Sequence, residues 1–250
     1  MELINRLRRK WSIIRYGDIS RHDWALQFGY PKEYRVKSVT EQVNILHKFF
    51  PNIDCTDENI AQKPLPKGAE GQFVIPKWNK LAKTYNEAVM MVLDSIKRQR
   101  KFYCGIDLGK KYLRQHERTA KRLQILGKQY KEHDILVIPA QFGLRYRDWQ
   151  VRQAREAFAL NEFGLGTFEV GCMLLTHPER IVANANINDD LPYNLPVCCP
   201  GDEYCPHPLN EIRFFDAVTF FDFGFNALEL SYVEDMLSRR INSSPSGFIP

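Results

Sequence analysis

NEFGLGTFEVGCMLL, residues 161–175, decides the fold class. A glycine turn, Asn161 to Gly166, leads into TFEVGCMLL, a run too short and too apolar for its period to separate strand from helix. Read as a strand, it completes residues 134–175 as a strand–helix–strand unit with parallel strands and a right-handed crossover. The middle of the chain is then α/β; read as a helix, it leaves an α+β fold.

Working outward, DILVIPAQFG (134–143) is the clearest strand. Ile135 to Ile138 is continuously apolar, as expected of a strand covered on both faces. A helix is expected from Asp148 to about Leu160, with Asp148 as its N-cap. Upstream, Tyr112, His116, Ala120, Leu123, Leu126 and Tyr130 form one stripe of a helix over 110–130. Another amphipathic helix carries Tyr85, Ala88, Val89, Val92, Leu93 and Ile96, and GQFVIPKW before it is a short strand ending at Pro76. Two N-terminal helices are expected, one through Leu3, Ile4, Leu7, Trp11 and Ile14, and one over Thr40–Phe50, stopped by Pro51.

Downstream, residues 184–208 are rich in Asn, Asp and Pro and read as a long irregular loop. Arg213 to Phe223 and Ala227 to Val233 form an antiparallel hairpin around Gly224-Phe225-Asn226, and INSSPSGFIP (241–250) reads as a loose tail. QKPLPKGAEG (62–71) marks a soft boundary between an N-terminal helical segment, 1–62, and a core, 70–250. The alternative is one domain over 1–250.

The 250 residues are 44% hydrophobic and 26% charged, values that favour a packed core over disorder. No apolar run approaches the roughly 20 residues of a membrane-spanning helix. A soluble, cytoplasmic protein with no membrane partner is expected, with its scattered cysteines reduced.

YLRQHERTAKRL (112–123), DILVIPAQFGLRYR (134–147), NEFGLGTFEVGCMLLTHPERI (161–181) and CPGDEY (199–204) resemble a family of uncharacterised bacterial proteins from uncultured lineages with small genomes. The resemblance spans roughly residues 70–205. It implies a bacterial origin and carries no activity, fold or ligand.

Three constellations could carry chemistry. CCPGDEYCPH (198–207) is the densest cluster of metal-ligand types, and zinc would draw on Cys199, Cys205 and His207. Cys172, His177, Asp202 and Glu203 are candidates for a fourth ligand. The adjacent Cys198 and Cys199 diverge, and four prolines set the path without a metal, so the balance favours a loop.

The second constellation lies at the expected strand ends, where open α/β sheets bind ligands. Arg145 and Arg147 would meet His177 and Glu179 in a crevice suited to a phosphate or carboxylate, with His177 as general acid or base. An enzyme or small-anion binder would use these residues. The chain lacks a phosphate loop, a Gly-x-Ser-x-Gly and a His-Glu-x-x-His motif.

The third is charge. The net charge is +5, yet Lys97 to Lys128 holds eleven Lys or Arg against Asp107 and Glu117, so the remainder is net acidic. Lys110, Lys111, Arg114, Arg118, Lys121, Arg122 and Lys128 would form a basic helix face for nucleic acid or another polyanion. Tyr103 and Tyr112 are available for stacking. Alternatively the face is solvated or pairs with acids such as Asp202 and Glu203. Nucleic-acid binding is the leading expectation. A protein partner seated on the aromatic hairpin (Phe214, Phe215, Phe220, Phe221, Phe223, Phe225) is a further alternative.

Overall fold

The computed structural model describes residues 30–31, 33–54, 64–181, 196–209, 213–224, 227–234 and 243–249. The helix expected around Leu3–Ile14, the linker residues up to 63, residues 184–195 of the expected loop and Phe225-Asn226 of the expected hairpin turn lie outside these residues. The fold is mixed α+β, with two sheets, helices between and around them, and the expected C-terminal hairpin.

The deciding stretch is a helix. Strand β5 (Glu162–Gly164) ends in the glycine turn and helix α6 (Thr167–Thr176) follows. All ten α6 residues are buried, which is why no polar face marked the period. The helix packs on α3 (Tyr85–Gln99), β1 (Gly71–Pro76) and α1 (Val39–Phe49), so it runs through the centre of the core.

The first sheet has the order β1-β4-β10-β5, with every neighbour antiparallel. Strand β4 (Ile135–Gln141) is wholly buried, as its apolar run requires. Strands β4 and β5 therefore point the same way, with helix α5 (Val151–Ala157) in their connection. This is the central strand–helix–strand unit, closed by β5 and not by TFEVGCMLL. Between them lies β10 (Ser246–Phe248), from the segment expected to be loose. The Gln141 amide donates to Ser244 O (2.8 Å) and Ser246 Oγ (3.0 Å), and Ser246 Oγ donates to Glu162 Oε1 (2.5 Å). Local composition argued for a loop, but pairing on both edges overrides weak strand propensity.

The second sheet runs β2-β9-β8-β7-β3, with β6 also paired to β8. Its centre is the hairpin of β8 (Asp216–Gly224) and β9 (Ala227–Glu234). Strand β2 (Lys101–Cys104) joins β9 in parallel, and β3 (Leu113–Gln115) joins β7 (Asp202–Tyr204) antiparallel. The strand β6 (Val197–Cys198) and β7 both come from the proline-rich stretch read as irregular loop.

Helix starts follow from capping. Thr84 and Glu87 form a reciprocal capping box on α3, and Ser38 and Glu41 do so on α1. The expected apolar face of α3 is the buried one, and each fully buried Val, Leu or Ile there contributes about 1.5–3 kcal/mol. Gln42 ties α1 to β1: its amide donates to Gln72 O and its carbonyl accepts from Val74 N (2.8 and 2.9 Å). Val43 and Leu46 of α1 thus share one core with β1, β4 and α6.

Two helix boundaries differ from expectation. The helix expected over 110–130 is α4 (Glu117–Gln129), preceded by a turn and by β3, with His116 as its N-cap. Leu113 pairs with Tyr204, a long-range strand contact that helical spacing cannot reveal. Asp148 does not cap α5. It sits at φ 63°, and Gln150 is the N-cap. Among the described residues no helix is long and apolar enough to cross a membrane.

Candidate nucleic-acid interface

Two adjoining hollows, of about 880 and 700 Å3, share Arg114, His116, Arg118 and Glu203 and so form one groove. One wall is β3 with the first turns of α4, from Arg114 to Ile125. The other is Arg152, Arg155 and Glu156 of α5 with Arg213, Phe214 and Phe215, which lead into β8.

Seven cations line this groove: Arg114, Arg118, Lys121, Arg122, Arg152, Arg155 and Arg213. Three carboxylates, Glu117, Glu156 and Glu203, oppose them. What the guanidiniums touch decides how much charge remains. Arg118 donates to the carbonyls of Phe158 (3.3 Å) and Ala159, and Arg122 to that of Leu160 (2.5 Å). These carbonyls follow the C-terminus of α5, where unpaired C=O groups and the helix dipole favour cations. Arg155 donates to the carbonyls of Pro200 (2.9 Å) and Asp202. Neutral carbonyls thus orient the Arg118 and Arg122 side chains and supply two of the contacts of Arg155. Ion pairs join Arg114 to its cross-strand neighbour Glu203 (2.8 Å) and Lys121 to Glu117 (2.5 Å). Both are surface pairs, worth about 0–1 kcal/mol.

Aromatic rings sit among the cations. The Arg114 guanidinium lies 4.0 Å from the centre of the Phe214 ring, and those of Arg152 and Arg213 lie 5.9 Å from Phe215. Phe215 is 53% exposed. His116 accepts the Arg118 N–H at Nδ1 (3.2 Å). Burial, and then the charge of Arg155, lower its pKa, so the groove's positive charge at neutral pH comes from Arg and Lys.

Near His116 at the groove's edge, backbone meets backbone. A Cβ on Gly201 would lie 2.4 Å from Gly166 N and 2.5 Å from the Leu165 carbonyl carbon, so only glycine admits this approach. The Gly201 N–H donates to Leu165 O, the His116 N–H to Gly201 O, and Thr119 Oγ1 to Gly164 O (2.9, 2.8 and 2.8 Å). The first turn of α4 is thereby fixed to the turn that starts α6.

Against Gly166 lie two buried carboxylates. Asp202 accepts the Thr167 N–H (2.5 Å) and the Tyr85 hydroxyl (2.8 Å), and Glu169 accepts the Gly166 N–H (2.8 Å). Both acids thus satisfy amides left open at the N-terminus of α6, where the dipole favours negative charge. Burial outweighs that help. It raises the Glu169 carboxyl to about 8, with the nearby Asp202 charge adding to it, and raises Asp202 to about 6.

The basic stretch therefore divides. Arg114, Arg118, Lys121 and Arg122 reach the groove, whereas Lys110 and Lys111 lie in an exposed turn and Lys128 at the far end of α4. Arg100, in the same stretch, donates to Pro178 O and Ile181 O (3.1 and 2.6 Å). Sequence reasoning missed Arg152, Arg155, Arg213 and His116 as groove residues. The i, i+3 spacing of Arg152 and Arg155 was the available signal.

The crevice expected at parallel strand ends lacks its second strand, since residues 167–176 are helix. His177 is fully buried, accepts the Lys37 N–H at Nε2 (3.0 Å), and places Nδ1 2.8 Å from Thr176 Oγ1. Burial drives its pKa down to about 3, which removes the near-neutral titration expected of a general acid or base. Glu179 pairs with Lys37. Arg145 instead donates to the Tyr146 hydroxyl (3.2 Å) and lies 3.6 Å from Glu162. These candidates thus fall into two sets with different partners, and Arg147 is the C-cap of a separate 3-10 turn, Leu144–Tyr146.

In the cysteine loop, Cys199 packs into the main core and Cys198 into a small cluster with Val151, Ala217 and Val233. Cys205 is buried and His207 exposed. Among the described residues no group of three or more His, Cys, Asp or Glu side chains could hold a metal ion, and Cys104, Cys172 and Cys199 are free thiols.

Comparison with family models, curated proteins and solved structures gave no match.

Proposed function

We propose that this chain binds nucleic acid in the arginine groove. The observation that carries the reading is seven Lys and Arg side chains lining one groove against three carboxylates, with three guanidiniums directed by neutral carbonyls. Guanidinium forks suit phosphate oxygens, and a charged wall concentrates a polyanion by releasing its counterions. Hydrogen bonds to backbone carbonyls already hold Arg118, Arg122 and Arg155 before binding, which lowers the ordering cost.

The test is charge reversal inside and outside the groove. Lys121→Glu with Arg122→Glu should weaken oligonucleotide binding at least tenfold in fluorescence anisotropy at constant salt. Lys128→Glu, on the same helix outside the groove, should leave affinity within about twofold. Equal losses in both variants would mean that general charge, not the groove, does the binding.

A further inference from the structure

We infer that Glu203 is a built-in competitor for the groove's ligand: its carboxylate holds the seat on Arg114 that a phosphate of the nucleic acid takes, and it swings aside on binding. This rests on the groove being the nucleic-acid site.

The first observation is how the acid is delivered. Strand β7 alternates, with Asp202 and Tyr204 buried and Glu203 between them facing the groove. Asp202 is held from behind by the Thr167 N–H and the Tyr85 hydroxyl, so the middle residue of the strand has a fixed origin. Glu203 borders both hollows, together with Arg114, His116 and Arg118. Its side chain is 20% exposed, whereas that of Glu117, the other paired carboxylate of the groove, is 78% exposed. Glu203 is therefore the acid drawn in among the cations.

The second observation is how the pair is made. Arg114 Nε donates to Glu203 Oε2 at 2.8 Å, and the Arg114 side chain is 55% exposed. A hydrogen bond from one nitrogen at a wet surface is a weak hold, whereas a phosphate can take two guanidinium nitrogens at once. Arg114 keeps its place without Glu203. Its neighbours Leu113 and Gln115 are in register with Tyr204 and Asp202, and its guanidinium lies 4.0 Å from the centre of the Phe214 ring. Displacing the carboxylate thus exposes a cation already in position.

A double-mutant cycle tests this, read as the anisotropy of a labelled 12-nucleotide DNA strand mixed with the full chain at constant salt. Glu203→Gln should tighten binding about three- to fivefold, the most that releasing one surface pair allows. In an Arg114→Gln background the same change should tighten it by less than about twofold, because no guanidinium is left to release. The affinity of Glu203→Gln should also fall more steeply with salt than that of wild type, by up to about 0.7 in the logarithmic slope, one phosphate contact on a single strand. Circular dichroism confirms that each variant is folded. A Glu203→Gln variant that binds no more tightly than wild type, or that gains as much without Arg114 as with it, overturns the competitor while binding in the groove stands. No binding of the strand by wild type or any variant overturns both readings.

Discussion

Glu169 and Asp202 share the N-terminus of α6, and both are buried. Each finds backbone amides to accept from, yet burial still favours the neutral form of both. Glu169 titrates near 8 in the folded protein against an ordinary 4.5. The folded state holds this proton more tightly than the unfolded chain does. The resulting stabilisation is complete below about pH 4.5, is lost as pH rises, and is gone above about 8. Asp202 acts in the same direction between its ordinary 3.8 and about 6. His177 acts in the opposite direction. Its folded-state pKa near 3 costs stability as pH falls below about 6.5. Glu169→Gln keeps an acceptor for the Gly166 amide but cannot titrate. In urea titrations, its stability relative to wild type should rise with pH between 5 and 8, by on the order of 1 kcal/mol per unit. A difference that does not vary with pH would mean that Glu169 is not held buried and protonated. Little of this pair was legible in the sequence. Asp202 stood out as a candidate metal ligand beside cysteines and as an acid for the basic face, and Glu169 as one charge in an apolar run. Their burial depends on a glycine-to-glycine contact between segments some 35 residues apart.

At the scale of elements, the legible parts were those whose two faces differ. α3, α1, the β4 strand and the β8–β9 hairpin follow from period and turn residues. The illegible parts owe their form to distant partners. α6 has no polar face, β3 exists through β7, and β10 exists through β4 and β5. Two glycines test this view. Gly127 sits inside α4 with nothing within 4 Å of an added Cβ, so Gly127→Ala should stabilise by about 0.5–1 kcal/mol through helix propensity alone. Gly201→Ala places a methyl group against the backbone of 164–166 and should cost about 2 kcal/mol or more. Denaturant midpoints measure both. A tolerated Gly201→Ala would refute the close contact that fixes α4 to the start of α6.

At the scale of the whole molecule, a modest net charge conceals a strong local one. The basic stretch 97–128 drew attention to α4, but only part of it faces the groove. Arg152 and Arg155 of α5 and the Arg213–Phe215 segment complete the site from up to about 100 residues away. Charge clustering was legible along the chain, whereas the concave shape and the opposite wall required the fold. The most direct test of this site is the salt dependence of oligonucleotide affinity. For a single strand contacting about five phosphates, the logarithm of the binding constant should fall against the logarithm of salt concentration with a slope of about −3.5. In the Lys121→Glu, Arg122→Glu double variant the slope should become shallower by about 1.4, two contacts fewer. A wild-type affinity that stays flat between low and high salt would contradict the proposal that this groove binds nucleic acid through its cations.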